Sequence, residues 1–302
     1  MICLFAVLLL CSSVNGQSYI EIDCGKSNEK PSNATQCTPT SETRVIGGQC
    51  ANPGQFPWVT MINLTLFGMN IGFCGGAIID QYTILTAAHC TKYCLIPGLP
   101  ISLPVQQYNI TIGERNLNDA NDGQLSYTST TAVVHPNYTA CSSNNSNDIA
   151  LLKIGGNGMK TPYFTDNGLG SSNCINLPSA NNYTGSDVTI AGWGRTDKNS
   201  QKTAKILQFA TIQVVDDSAC SQTFGSSYNS KTMICAFAPG KSSCNGDSGT
   251  AMFYDRSGFA EAVGITSFGV ANCEGKPVVY TRVSNYLDFI NSNIGPIKTG
   301  AN

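Results

Sequence analysis

Short strands rather than helices dominate what this chain predicts, and three observations make the fold class all-β. Apolar and β-branched runs recur along most of its length, separated by turn residues. Glycine, serine, threonine and asparagine are abundant, and no long 3.6-residue periodicity appears before the C-terminus. The roughly 250 residues that remain after processing suit one large all-β unit or two small barrels.

Taken in order, the chain opens on an apolar run, Ile2 to Leu10, too short to span a membrane. Polar residues lead from it to Val14-Asn15-Gly16, so residues 1–16 read as a signal peptide cleaved before Gln17. No other stretch approaches the ~18 consecutive apolar residues of a spanning helix, and secretion is expected. Of 14 cysteines, Cys3 and Cys11 leave with that peptide; an even number remains, suited to an oxidising compartment. Six Asn-X-Ser/Thr sequons, at Asn33, Asn63, Asn109, Asn137, Asn144 and Asn182, point the same way and mark the expected glycosylation sites. A net charge of −2 with 12% charged residues and no basic run excludes nucleic acid or a membrane surface as partner.

Residues 17–44 are polar and proline-containing and read as a prosegment. It ends at Arg44-Val45-Ile46-Gly47-Gly48. Strand-like runs follow at Trp58 to Leu64, Ala77 to Ala87, Tyr108 to Ile112, Ala132 to His135 and Ile149 to Ile154. A second set comprises Val188 to Ala191, Leu207 to Val215, Met233 to Ala236, Thr250 to Tyr254, Ala262 to Ser267 and Val278 to Val283. Regular short strands of this kind fit a sandwich or a barrel. Val283, Tyr286, Leu287 and Ile290 carry helical spacing and close the chain.

Chemistry concentrates in three segments: Thr86-Ala87-Ala88-His89-Cys90, Asn147-Asp148-Ile149-Ala150-Leu151-Leu152 and Cys244-Asn245-Gly246-Asp247-Ser248-Gly249. A serine hydroxyl is a weak nucleophile until a base takes its proton and a third group orients that base. The only other histidine, His135, precedes Pro136 at a strand end, where a structural role is the default. The order His, Asp, Ser is one of three unrelated solutions to this geometry.

Together these segments resemble the trypsin/chymotrypsin family of serine endopeptidases, over roughly residues 45 to 292. The resemblance implies two antiparallel Greek-key β-barrels packed with the active site in the cleft between, plus a C-terminal helix. Barrel 1 would span about 45–165 and barrel 2 about 180–292 of a protease domain at 45–302. It implies Ser248 as nucleophile, His89 as general base, Asp148 as its orienting partner, and the amides of Gly246 and Ser248 as the oxyanion hole. It also implies activation by cleavage after Arg44, the new Val45 ammonium pairing with Asp247. No cofactor is expected.

The pocket floor implied by the resemblance is Ser242, beside Ser243, where trypsin-like members carry an aspartate. Its walls are Ser267-Phe268-Gly269 and a segment in which Val278 replaces the usual glycine. Cleavage after small or medium apolar residues is therefore expected. The nucleophile motif departs from the family's usual Gly-Gly-Pro continuation, reading Gly249-Thr250-Ala251. Implied disulfides are Cys74-Cys90, Cys220-Cys235 and Cys244-Cys273. Cys94 in an insertion after His89 and Cys141 in the loop before Asp148 are expected to pair, since those loops are neighbours in the fold. Cys174 is expected to bond Cys24 or Cys37, with Cys50 taking the other.

Glu114 and Asn116 match the family's calcium loop, and Asp119 and Asp122 add oxygens. Gln124 stands where a second carboxylate belongs, so no metal is expected. Expected partners are a protein or peptide substrate, an activating protease cutting after Arg44, and protein protease inhibitors; the expected state is a monomer. The alternative reading is a catalytically silent homologue acting as a binding or decoy protein, to which only Val278 and Thr250-Ala251 point.

Overall fold

The computed structural model describes residues 24–27, 46–96, 99, 101–142, 145–164, 171–196, 202–273 and 275–296. The expected signal peptide, Arg44, Val45, Cys37 and the sequons at Asn33 and Asn144 lie outside the described residues. In chain order the first strands are β1 (Gln49–Cys50), β2 (Val59–Leu66), β3 (Met69–Asp80), β4 (Thr83–Thr86), β5 (Lys92–Cys94) and β6 (Ser102–Pro104). Next come β7 (Gln107–Ile112), β8 (Leu125–Ser129), β9 (Thr131–Val134), β10 (Ala150–Lys153), β11 (Tyr163–Phe164) and β12 (Ser171–Ser172). The last are β13 (Asp187–Gly192), β14 (Gln208–Val214), β15 (Met233–Phe237), β16 (Ala251–Arg256), β17 (Phe259–Phe268) and β18 (Val278–Arg282). Among the described residues the α-helices are α1 (Asp217–Phe224) and α2 (Leu287–Asn293).

The N-terminal sheet runs β8-β7-β2-β3-β4-β10-β9 and is antiparallel throughout; it curls as a half-barrel. The C-terminal sheet, β14-β13-β16-β17-β18-β15, closes into a six-stranded barrel because β14 also pairs β15, Gln213 opposite Phe237. β1 adds to the outside of β14, so the first residues of the expected barrel 1 range belong to the second barrel.

Side-chain alternation builds these walls. In β7, Tyr108, Ile110 and Ile112 are buried while Gln107, Asn109 and Thr111 are half-exposed, the period of two of a sheet with one face inward. β10 is buried on both faces. Its Leu152 joins Ile62, Ile78, Ile84 and Ile110 inside the first barrel. Its Leu151 joins a second cluster, with Trp58, Leu85, Trp193, Phe253 and Ile265, that contains residues from both barrels and Ile290 of α2. That cluster is the seam. Each such fully buried leucine contributes about 1.5–3 kcal/mol of hydrophobic stabilisation, and Ala87, Cys90 and Ile149, the neighbours of His89 and Asp148 in the chain, belong to the same cluster.

Two elements differ from expectation. The single run Ala77 to Ala87 is a hairpin, β3 and β4, turned at Gln81-Tyr82 by Asp80, whose Oδ1 accepts from the Tyr82 amide at 2.5 Å. The carboxylate side chain offers the backbone a turn inside an otherwise apolar stretch. α1 has no clear apolar stripe to announce it; Asp216 caps it by accepting from the Ser218 amide at 2.8 Å. The closing helix begins as a 3-10 turn, Val283–Tyr286, and continues in α2 to Asn293. Buried Lys153 anchors it, donating to Thr83 Oγ1 at 2.8 Å, to the Asn293 carbonyl at 2.7 Å and to that of Gly295. A lysine at a helix C-terminus meets the negative end of its dipole.

Five disulfides join described residues: Cys24-Cys174, Cys74-Cys90, Cys94-Cys141, Cys220-Cys235 and Cys244-Cys273. Cys50 is also disulfide-bonded. Around Cys24 the backbone is held as well, Gly25 donating to the Cys174 carbonyl at 2.6 Å and accepting from Ala260 at 2.9 Å. Among the described residues no helix is long and apolar enough to cross a membrane.

Candidate active site

His89 sits in the 3-10 turn Ala88–Thr91 that follows β4, and Cys90 ties that turn back to Cys74 in β3. Asp148 enters β10 through Asn147, which takes a left-handed φ of 60°, tolerated by asparagine. The Asn147 side chain is fixed from both ends: its amide donates to the Asn137 carbonyl, and its Oδ1 accepts from Tyr286 O–H. Asp148 is completely buried.

Three donors converge on its carboxylate. Oδ1 accepts from the His89 backbone amide at 2.8 Å; Oδ2 lies 2.8 Å from His89 Nδ1 and accepts from Ser267 O–H at 2.5 Å. Thr281 O–H holds the Asp148 carbonyl at 2.7 Å. The ring nitrogen facing the carboxylate must carry a hydrogen, which leaves Nε2 as the basic lone pair. The His89 side chain remains 30% exposed. Burial pushes its pKa down, but the Asp148 charge and hydrogen bond outweigh that and hold it above the ordinary 6.5. Burial would raise Asp148; the His89 charge and the convergent donors hold it below its ordinary value instead.

Ser248 is half-buried and lies on a loop pinned to the same strands as His89. The Gly75 amide of β3 donates to the Ser248 carbonyl at 2.7 Å, and Thr86 O–H at the end of β4 donates to the Gly75 carbonyl at 2.8 Å. Gly246 has φ 101°, and a Cβ there would come within 2.8 Å of Phe73 Cζ and 3.0 Å of Gly194 Cα. Only glycine lets the backbone pass. Among the described residues, the amides of Gly246 and Ser248 donate to no protein acceptor.

Asp247 is buried, its Oδ1 accepting from the Gly194 amide at 2.8 Å and its Oδ2 from the Cys244 amide at 2.9 Å. Burial pushes its pKa up to about 6 against those two bonds, and no cation reaches it among the described residues. Ile46 is buried against Cys244 and Cys273, and its carbonyl accepts from the Ser242 amide at 3.2 Å.

Of the expected pocket residues, Ser242 and Ser243 are buried, their hydroxyls turned to the Ser243 carbonyl and to Tyr280 O–H. Val278 stands opposite Gly269; its methyls come within 3.6 and 3.8 Å of where a Cβ on Gly269 would be. Phe268 packs edge-on against Phe224, centroids 5.5 Å apart. Ser267 points its hydroxyl at Asp148, a role that its place in the wall segment did not signal. Thr281 and the Gly194 amide were likewise invisible in sequence, because both reach their partners across long separations in the chain; the Cys244 amide lies only three residues before Asp247.

His135 is set between Tyr286 and Phe289, ring centroids 5.1 Å from each, and accepts from the Asn137 amide. Glu114 faces Asp122, whose Oδ2 accepts from the amides of Arg115 and Asn116. Burial first, and then the neighbouring Asp122, push the Glu114 pKa above its ordinary value. Gln124 turns its amide to the Asp119 carbonyl. Asn137 and Asn182 are exposed, whereas Asn63 and Asn109 face each other across β2 and β7, half-buried.

The insertion after His89 forms the hairpin β5–β6, stapled to the loop before Asp148 by Cys94-Cys141. It exposes Tyr93, Leu95, Ile96, Leu99 and Ile101.

This arrangement on a half-barrel and a closed barrel defines a class, and the comparisons agree: the Trypsin family profile matches residues 45–290. The chain belongs to the trypsin family and is a serine endopeptidase. It is 31% identical to phenoloxidase-activating factor 3 of Holotrichia diomphalia, over 94% of this chain and 82% of that protein. It is 30% identical to CLIP domain-containing serine protease B4 of Anopheles gambiae, over 95% and 78% respectively. With coagulation factor IX of Cavia porcellus it shares 32% identity over 85% of this chain and 84% of the relative.

Proposed function

We propose that the protein is a secreted zymogen that is switched on by a cut after Arg44 and then cleaves peptide bonds after small or medium apolar residues. The observation that carries the chemistry is the grip on His89 by one carboxylate, at its ring and at its backbone amide. Ser248 Oγ attacks the scissile carbonyl carbon while His89 Nε2 takes its proton. The developing oxyanion is met by the amides of Gly246 and Ser248, and the imidazolium by Asp148. His89 then protonates the leaving amine, and the acyl-enzyme is hydrolysed by water activated in the same way.

Activation follows from Asp247. A buried carboxylate held by two amides alone has its charged form disfavoured by burial. Val45 precedes Ile46 by one Cα step of ~3.8 Å, and Ile46 is docked beside Cys244. On this reading a new ammonium at Val45 supplies the charge that would pair with Asp247. The name of the phenoloxidase-activating relative is consistent with a place among proteases that cut other proteins. Cys24-Cys174 and the Gly25 bonds support retention of residues 17–44 as a tethered light chain.

The narrow gap between Val278 and Gly269 supports the P1 preference. Peptide libraries varying P1 should show Ala, Val or Leu preferred, and Val278→Gly should raise kcat/KM for Phe or Tyr about 10- to 100-fold, the worth of ~1–3 kcal/mol of apolar contact. A wild-type preference for Arg, Lys or large aromatics contradicts this pocket. The stapled apolar hairpin β5–β6 flanks the histidine side, where substrate residues on that side of the scissile bond would meet it.

A further inference from the structure

We infer that Thr250, where the family's usual motif has glycine, is a positioning residue for the oxyanion hole; this rests on the endopeptidase reading above. The peptide joining Asp247 to Ser248 is one rigid plane, its carbonyl and amide pointing in opposite directions. Whatever fixes the Asp247 carbonyl thereby aims the Ser248 amide. Two groups of Thr250 fix it: the hydroxyl donates to the Asp247 oxygen at 2.7 Å, and the backbone amide donates to the same oxygen at 3.1 Å. With glycine at this position only the amide bond would remain.

Thr250 is itself immobilised. It is buried, and its methyl fills the space left by the absent Cβ of Gly75, the residue whose amide holds the Ser248 carbonyl. Thr266 grips it from the opposite side: the Thr266 amide donates to the Thr250 carbonyl at 2.9 Å, and Thr266 Oγ1 lies 3.1 Å from both that carbonyl and Thr250 Oγ1. Proton counting settles the direction. The single hydroxyl hydrogen of Thr250 goes to the Asp247 carbonyl, which can only accept, so Thr250 Oγ1 can only accept from Thr266, whose own single hydrogen is shared between that oxygen and the Thr250 carbonyl. Resistance to rotation of the 247–248 peptide is thus built from a side chain, in addition to the turn's own backbone bond.

The test uses the full chain cut after Arg44. Thr250→Val keeps the branched shape against Gly75 and removes only the hydroxyl. The Asp247 carbonyl keeps the position 250 amide and Thr266 O–H keeps the position 250 carbonyl, so no buried polar atom is orphaned. We expect kcat to fall about tenfold with KM within about twofold, a smaller loss than the ~10²–10³ of removing an oxyanion donor outright. A peptide aldehyde, whose adduct places an oxyanion in the hole, should bind about tenfold more weakly, while the matching peptide alcohol should bind unchanged. Thr250→Ser should restore kcat to within about twofold, and Thr250→Gly should lose as much as valine. Wild-type kcat and aldehyde affinity in the valine variant would overturn the inference, as would equal losses in valine and serine variants. A cut wild-type chain without activity would instead refute the endopeptidase reading itself.

Discussion

Asp148→Asn should lower kcat about 10⁴-fold while leaving the fold intact. The reason lies in the three donors that meet its carboxylate. An amide of the same shape has one oxygen and one NH₂. With its oxygen toward the His89 backbone amide, the NH₂ group faces both His89 Nδ1 and Ser267, forcing the ring hydrogen onto Nε2. Nε2 can then no longer accept the proton of Ser248. The opposite flip sets the NH₂ group against the His89 backbone hydrogen. Neither orientation reproduces the native pattern. Because Asp148 holds His89 above its ordinary pKa, the same variant should also shift the acid limb of the kcat/KM profile to lower pH. A variant with wild-type kcat, or a shift to higher pH, contradicts the assignment.

The second large effect concerns activation. Arg44→Gln should leave a chain that folds and is secreted yet cleaves peptides at least about 10³-fold more slowly after treatment with an arginine-directed protease, on the scale of a lost oxyanion donor. Asp247→Asn in a cleavable chain should do the same, since removing one member of a buried ion pair strands the other at a cost of about 3–5 kcal/mol. The sign of the pH effect follows from the proposed pair of Asp247 with the new N-terminus. Its cation is an α-ammonium whose ordinary pKa is about 8 and which is raised by pairing, so its contribution is complete below that value and lost as pH rises through the paired one. Activity of the cut enzyme should therefore fall on the alkaline side, with no such limb in ligand binding to the uncut chain. Non-reducing electrophoresis after the cut should show one species that separates only on reduction.

The sequence carries the local signals of this candidate site. His89, Asp148 and Ser248 stand in local contexts whose chemistry is restrictive, and strands such as β7 announce themselves by alternation. What was not legible depends on pairing at a distance. Ser267 reaches Asp148 because β17 ends beside β10's entrance, and Thr250 reaches Asp247 because Gly75 in β3 leaves room for its methyl. The hairpin inside Ala77 to Ala87 leaves little trace in the sequence because apolar residues run straight through its turn, and only Asp80 marks it. Helix α1 is short and lacks a clear apolar stripe, so its cap at Asp216 was its sole advertisement.

The most direct measurement is active-site labelling with a fluorophosphonate, followed by mass-spectrometric mapping of the modified peptide. The chain cut after Arg44 should take up one equivalent at Ser248, the uncut chain almost none, and His89→Ala almost none when cut. A correctly cut and folded chain that stays unlabelled, or carries the label elsewhere, would contradict the claim that His89 activates this serine and would favour a silent binding homologue.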